Sequence, residues 1–182
     1  MPVYARVILA AGWLLWFLPF LLVKRTAAAA AQVDRSARWG MLLQGIAIFL
    51  VWWHGSFDRV PEGWRTGLAV VFFACAALLS WTSVRALGRQ FRVDAGLSPD
   101  HELVRAGVYA VLRHPIYASV LCIVLGTGIL IAPPSRLLLA TVVCIAGTEI
   151  RVRVEDRLLA AGFGEAFRDY QRAVRAYLPL PR

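Results

Sequence analysis

The sequence predicts an all-α, polytopic membrane helix bundle with five transmembrane helices and a C-terminal amphipathic helix on the cytosolic face. Hydrophobic residues make up 59% of the chain and its mean hydropathy is +0.63, whereas soluble domains are roughly 45 to 50% apolar. Apolar runs of membrane-spanning length recur along the chain, and basic residues are concentrated beside them. Together these observations indicate an integral membrane protein.

The first span is predicted at 3–23, which is long enough to cross the hydrocarbon at about 1.5 Å per residue. A signal peptide is the alternative, because the small residues at 27–31 could be cleaved. Lys24 and Arg25 follow the run as a stop-transfer flank would, and this favours a retained helix.

The second span is predicted at 39–53, where Trp52 and Trp53 form an interfacial belt, and the third at 66–84. The following segment, 85–113, is too charged to lie in lipid and too long for a simple turn. We expect it to be a functional cytosolic loop.

The fourth span is predicted at 116–132 and the fifth at 135–150. Pro133 and Pro134 separate them, and the residue before a proline is pushed out of the helical conformation. The two spans should therefore form a helical hairpin.

From Arg151 onward, apolar residues recur every three or four positions between charges, which predicts an amphipathic helix interrupted at Gly162 and Gly164. We expect this tail to lie on the membrane face and to fold back over the polar loop.

Basic residues favour one side of the predicted bundle. They cluster in 24–38, in 85–113 and in the tail, and few lie in the other connectors. The positive-inside rule then places the N-terminus outside and the C-terminus in the cytosol. We divide the chain into N-terminal transmembrane helices at 1–86 and a core at 87–182, within one structural domain.

The net charge of +9 does not indicate nucleic acid, because the basic residues lie beside apolar runs and anionic headgroups can balance them. Cys75, Cys122 and Cys144 fall inside apolar segments without paired spacing. We expect no metal site.

Polar chemistry is concentrated where the fourth span begins, at Arg113, His114 and Tyr117. Charges at a membrane boundary need headgroups or partners, so such a cluster indicates a functional site. The ordinary alternative is that Arg113 reaches lipid phosphate, Pro115 occupies the first helical turn, and His114 and Tyr117 form an interfacial belt.

A second cluster lies near the end of the fifth span. Arg151 and Glu155 share a helix face and Asp156 is one residue further round. Taken alone, this spacing indicates only a local ion pair, worth roughly 0.3 to 0.5 kcal/mol at a surface.

The order of the motifs is more specific than any one of them. The chain reads Leu-Gly-Arg-Gln-Phe at 87–91, Leu-Val-Arg-Ala-Gly-Val-Tyr-Ala-Val-Leu-Arg-His-Pro-Ile-Tyr at 103–117, Arg-Val-Arg-Val-Glu-Asp at 151–156 and Phe-Gly-Glu-Ala-Phe at 163–167, then Tyr170 and Leu-Pro at 178–179. In this order it resembles the isoprenylcysteine carboxyl methyltransferase family, including its prokaryotic members. The resemblance runs from Leu87 onward, and the first two spans carry no such signal.

The resemblance implies a membrane enzyme that transfers a methyl group from S-adenosylmethionine to the carboxylate of a lipophilic substrate. It also implies a set of cofactor-binding residues: Tyr109, Arg113, His114, Tyr117, Glu155 and Asp156. The family usually has Glu at the position of Asp156, and the shorter side chain draws its carboxylate back by one methylene.

The chemistry of the cofactor fits this set, since its ammonium needs a carboxylate, its carboxylate needs a cation and its adenine stacks on rings. The acceptor carboxylate, with a reference pKa of about 4, is already ionised at neutral pH and requires no strong base. Arg151 is our first choice to orient the acceptor, with Arg172 or Arg175 in reserve, and we name Arg151 and Glu155 as catalytic.

Two alternatives remain at this stage. Certain membrane sterol reductases resemble the C-terminal half but use NADPH, which would call for further phosphate-binding cations. A non-enzymatic membrane scaffold, in which the cytosolic charges only anchor the chain, is the other alternative.

Overall fold

The computed structural model describes residues 1–23, 32–53, 55, 57, 60–92, 95–97 and 102–178. Six α-helices account for most of them. The helices are α1 (Val3–Leu22), α2 (Ala37–Trp52), α3 (Gly63–Leu87), α4 (Pro115–Ile131), α5 (Pro134–Phe163) and α6 (Glu165–Ala173). The five predicted apolar runs therefore all lie in helices.

Helix α4 lies at the centre of the bundle and packs against α1, α2, α3 and α5. Nearly all of its side chains are buried, including Ile123, Val124 and Thr127. Two indole N–H groups fix α1 to it, because Trp13 donates to Thr127 at 3.0 Å and Trp16 donates to Ser119 at 3.0 Å. These bonds satisfy polar groups that would be costly if left unpaired in an apolar interior.

The outer faces of the bundle are apolar. Leu14 in α1, Leu78 in α3 and Leu138 in α5 are all more than 60% exposed. Helices α1 and the segment Gly63–Gln90 are long and apolar enough to cross a membrane, and α2 and α4 are shorter apolar helices. Apolar surface of this extent is what lipid-facing helices present.

Helices α2 and α5 cross very closely where two glycines meet. A Cβ atom on Gly40 would lie 2.5 Å from the carbonyl oxygen of Gly147, and a Cβ atom on Gly147 would lie 2.6 Å from that of Gly40. One turn along, the Gln44 side chain donates to the Thr148 hydroxyl at 3.0 Å. Small residues that let two backbones approach, with a polar bond nearby, are typical of helix packing in membranes.

The predicted change of helix at Arg151 is wrong, because α5 continues without interruption to Phe163. Its charged second half contains no proline, and Arg and Glu are good helix formers. The break falls at Gly164, whose φ of 55° is readily adopted only by glycine. The amphipathic helix is therefore the short α6, whose Phe167 and Tyr170 are buried against the protein.

The end of the tail lies against the end of the polar loop. The N–H groups of Arg113 and His114 donate to the carbonyl oxygens of Arg175 and Ala176, each at 2.7 Å. We call residues 174–178 the C-terminal strap. Pro179 of the Leu-Pro motif lies outside the described residues, as do Lys24 and Arg25 of the predicted stop-transfer flank.

The bundle also contains a small element that the all-α prediction did not include. Strands β1 (Gln32–Val33) and β2 (Gly96–Leu97) pair antiparallel, with Gln32 opposite Leu97. They join the connector before α2 to the polar loop before α4. Runs of two residues are too short to leave a periodic signal in the sequence.

Candidate active site

A cavity of about 710 Å³ lies between the two halves of the chain. Its size falls within the range of roughly 300 to 1,000 Å³ that small-molecule sites occupy. Six of the seven predicted site residues line it: Tyr109, Arg113, His114, Tyr117, Arg151 and Glu155. Their roles remain predictions, but the structure brings them to one place.

The start of α4 and the second half of α5 meet at the polar end of the cavity. His114, which directly precedes α4, has Nδ1 3.4 Å from Oε2 of Glu155 and Nε2 2.9 Å from Oδ1 of Asp156. Pro115 occupies the first position of α4, where it needs no N–H partner. The proline therefore begins α4 directly after His114, whose side chain contacts α5.

Tyr117 and Arg151 complete the network around Glu155. The Tyr117 hydroxyl donates to Oε1 of Glu155, and Arg151 Nε donates to the Tyr117 oxygen at 2.8 Å. The Arg151 guanidinium also lies 5.1 Å from the centre of the Tyr117 ring and 3.5 Å from Oε1 of Glu155. Arg151 is buried, and so it is not the surface ion pair that its i, i+4 spacing alone indicates.

Arg113 is held by the tail. Its NH1 donates to the carbonyl oxygens of Gln171 at 3.1 Å and Val174 at 2.6 Å, and its NH2 lies 2.9 Å from Oδ2 of Asp156. The side chain is only 9% exposed, so it does not reach out to lipid phosphate. Its Nε is buried and has no hydrogen-bond partner among the described residues.

The charges in this network support one another. Burial lowers the pKa of His114, but the bonds to Asp156 and Glu155 outweigh it and raise that pKa above 6.5. Burial raises the pKa of both carboxyl groups, but contact with His114 and the nearby arginines brings each pKa below its usual value. These contacts therefore favour the protonated form of His114 and the ionised form of both carboxylates.

Aromatic rings cover the polar end from the loop and tail. Tyr109, Phe91, Phe167 and Tyr170 line the cavity, and the Tyr170 hydroxyl donates to the Tyr109 carbonyl oxygen at 2.6 Å. Burial raises the pKa of Tyr170 to about 12, so its hydroxyl stays neutral.

One predicted site residue, Asp156, and the two reserve choices for the acceptor, Arg172 and Arg175, lie outside the cavity lining. Asp156 does not line the cavity, and all its described bonds are to Arg113, His114 and Gln171. Arg172 is also outside the cavity lining and is 68% exposed, paired with Asp169 and Glu165. Arg175, the other reserve choice, contributes its backbone to the strap and is likewise not in the lining.

Sequence reasoning missed the apolar end of the cavity. Helices α1 and α2 provide it, through eight residues: Trp16, Phe17, Phe20, Leu21, Met41, Gln44, Gly45 and Ile48. Gln44 was the available signal, because an amide inside an apolar run is costly unless it has a partner or a function. The other side chains are common in any spanning helix.

The phospholipid methyltransferase family profile matches residues 64–166, more than half of the chain. The chain belongs to this family. Its match begins with α3 and includes the whole polar network of the cavity.

Curated relatives support the resemblance stated from the motifs. The protein-S-isoprenylcysteine O-methyltransferase of Tribolium castaneum is 29% identical over 64% of this chain and 42% of its own length. The enzyme of the same name from Schizosaccharomyces pombe is 29% identical over 62% of this chain and 48% of its own length. The prediction of this resemblance is confirmed, although the chain matches only about half the length of these relatives.

A solved structure shows a similar fold. The eukaryotic intramembrane Ras methyltransferase, isoprenylcysteine carboxyl methyltransferase, superposes with a TM-score of 0.62 at 22% identity. The match covers 96% of this chain and 63% of that one, so it includes α1 and α2 as well as the family region. The helical membrane fold predicted from the sequence is thus confirmed in its broad form.

Proposed function

We propose that this protein is an integral membrane, S-adenosylmethionine-dependent methyltransferase that methylates the carboxylate of a lipophilic, isoprenylcysteine-like substrate. One observation carries the proposal: a single cavity has a charged network at one end and an apolar end that reaches the lipid-facing surface. Phe17, Leu21 and Met41 line the cavity and are also 48%, 63% and 42% exposed. A substrate with a polar head and an apolar tail matches both ends.

The residues present fit the methyl donor. Glu155 lines the cavity with its side chain 25% exposed and can accept from an ammonium group. Arg113 lines the cavity and its positive charge can attract a carboxylate, and Tyr109, Phe167 and Tyr170 offer rings for an adenine. When bound, S-adenosylmethionine supplies a methyl group on a sulfonium, which a carboxylate oxygen can accept without losing a proton.

The charges of the site favour a carboxylate acceptor over an amine. An amine such as a phospholipid headgroup is protonated at neutral pH, at a reference pKa of about 10, and needs a base before it can be methylated. Two carboxylates raise the pKa of His114, and the partners of Glu155 lower the pKa of that carboxyl group, so neither side chain is suited to act as the base. A carboxylate acceptor requires neither group to take up a proton.

Arg151 and Glu155 would act by position and charge. Arg113, Arg151 and protonated His114 oppose the two carboxylates Glu155 and Asp156, so one positive charge is unmatched within the network. That charge attracts an anionic acceptor, and the apolar surroundings strengthen the attraction. Arg151 also fixes the Tyr117 hydroxyl, which keeps Glu155 facing the cavity.

We further propose that α1 to α5 span a prokaryotic inner membrane with the N-terminus outside and the C-terminus in the cytosol. The basic residues around the polar loop and α6 support this orientation. A reporter domain that works only in the cytosol should be active when it is fused to the C-terminus, and a reporter that works only outside the cytosol should be inactive there. The opposite result would contradict the proposed orientation.

The full-length protein, purified in detergent or nanodiscs, provides the test of function. Calorimetry should show binding of S-adenosylmethionine and S-adenosylhomocysteine, but not of NADPH. Radiolabelled methyl groups should be transferred to farnesylcysteine analogues and not to phosphatidylethanolamine. Preferential NADPH binding would support a reductase, and transfer to the amine lipid would overturn the proposed acceptor.

A further inference from the structure

The carboxylate of Asp156 joins three parts of the chain behind the cavity. Its Oδ1 lies 2.9 Å from Nε2 of His114, and its Oδ2 lies 2.9 Å from NH2 of Arg113. Oδ2 also accepts from the Gln171 side chain of α6 at 3.0 Å. The side chain is 14% exposed and is absent from the cavity lining.

These contacts determine where His114 points. With Nε2 held by Asp156, the other ring nitrogen, Nδ1, faces Oε2 of Glu155 at 3.4 Å. The ring also stacks on Tyr117 with 5.7 Å between centres and an angle of 21°. Both edges and one face of the imidazole are therefore occupied by protein groups.

We infer that Asp156 is a positioning residue, which acts through His114 to hold Glu155 toward the cavity and does not itself contact the methyl donor. The inference rests on the proposed function, because it concerns the same cofactor site. It reassigns a residue that the family resemblance places among the cofactor ligands.

The length of the side chain supports this reassignment. The resemblance implies Glu at this position, and Asp is one methylene shorter, so its carboxylate stays closer to the α5 backbone. To contact a ligand in the cavity, Asp156 would have to leave Arg113, His114 and Gln171. That movement would leave buried charged groups without their carboxylate partner, which is energetically costly. Glu155, by contrast, already lines the cavity.

The groups that face His114 explain why the charge of Asp156 matters. Glu155 and Asp156 approach it from α5, Tyr117 from α4 and Arg113 from the preceding position, while the strap contributes the Ala176 carbonyl oxygen to the His114 N–H. Two carboxylates against one guanidinium favour the protonated ring. Without the Asp156 charge, His114 should lose its proton at a lower pH and bind Glu155 less strongly.

The test compares Asp156→Asn, which keeps the shape but removes the charge, with Asp156→Glu, which keeps the charge. Asp169→Asn is the matched control, because Asp169 is an exposed carboxylate of α6 paired with Arg172. The His114 ring is titrated by nitrogen NMR, with His114→Gln to assign its signal. S-adenosylhomocysteine binding is measured by calorimetry across the same pH range.

We expect Asp156→Asn to lower the His114 titration by at least one pH unit. Between the two titration points, its affinity for S-adenosylhomocysteine should be about tenfold below that of the unaltered protein, and at lower pH the two affinities should match. Asp156→Glu should keep the higher titration, and Asp169→Asn should change neither measurement.

Two results would overturn the inference. One is an affinity loss in Asp156→Asn that is equal at every pH, with the His114 titration unmoved, as expected for a direct ligand contact. The other is unaltered binding and titration in that variant. If the unaltered protein binds no S-adenosylhomocysteine, the proposed function fails, whereas the NMR titration still tests the pairing.

Discussion

The two ends of the cavity are built in different ways. At the polar end, His114, Tyr117, Arg151 and Glu155 each contact at least two other members of the network or the adjoining Asp156. At the apolar end, the walls come from α1, which packs mainly on α3, and from α2, which packs mainly on α5. Helices α1 and α2 approach each other at Trp13 and Trp52, whose ring centres lie 5.9 Å apart.

Because of this difference, the two ends place different demands on the molecule that binds there. The polar end holds charged groups at fixed positions, as a reaction with developing or vanishing charge requires. The apolar end offers hydrophobic contact without directional bonds, so it can accept tails of different shape at similar free energy. Changes at the polar end should therefore affect the rate, and changes at the apolar end should affect the choice of substrate.

The largest expected effect comes from Glu155→Gln. The amide keeps the size of the side chain but removes the charge that Arg151, His114 and Tyr117 share. We expect methyl transfer to fall by about 100-fold or more, measured with radiolabelled donor and a farnesylcysteine analogue. Glu165→Gln, on exposed α6, is the control and should keep full activity.

Tyr117→Phe should have the next largest effect. It removes only the hydroxyl through which Arg151 and Glu155 are joined, and an unpaired buried donor or acceptor costs about 1 to 3 kcal/mol. We expect kcat to fall about tenfold with a smaller change in KM. Tyr4→Phe, at an exposed site of α1, is the matched control, and equal rates for both variants would show that the hydroxyl has no part in the site.

The affinity for the methyl donor should depend on pH through the same network. The pKa of His114 is raised, so its contribution is present below pH 6.5 and is lost as the pH rises through the higher folded value. The pKa values of Glu155 and Asp156 are lowered, so their contribution is present above about pH 4.5 and is lost as the pH falls through the lower folded values. Donor affinity should be level between these limits and fall on both sides, and a profile without an alkaline fall would contradict the protonated state of His114.

The smallest effect on rate should come from the apolar end, where Gly45→Leu adds a side chain to a cavity-lining position. A Cβ atom there meets nothing within 4 Å, so the fold should tolerate it. We expect KM to rise for long prenyl tails and to change little for short ones, with donor affinity unaltered.

Gly67→Leu in α3 is the control, since it is equally open but lies outside the cavity lining. A loss of donor binding in Gly45→Leu would mean that the two ends do not act separately.

The helices could be predicted from the sequence because the length and hydropathy of an apolar run are local properties. The boundary between α5 and α6 could not be predicted in this way, because the charged residues from Arg151 onward suggest that a new helix begins there. Helix continuity depends instead on backbone propensity, and the break occurs where Gly164 takes a positive φ.

The polar end of the site was predicted through the order of its motifs, which join His114 to Glu155 across the chain. The family resemblance places Asp156 among the cofactor ligands together with Glu155, but adjacent residues on a helix point about 100° apart. The contribution of Trp16, Met41 and Gly45 was not predicted, since it depends on how α1 and α2 pack.

The C-terminal strap has a consequence for the biogenesis of the protein. The strap is synthesised after all six helices, yet it accepts the backbone N–H groups of Arg113 and His114. A nascent chain can therefore insert its spans before the charged network is complete. The charged network is then completed only when residues 174–178 have left the ribosome and docked.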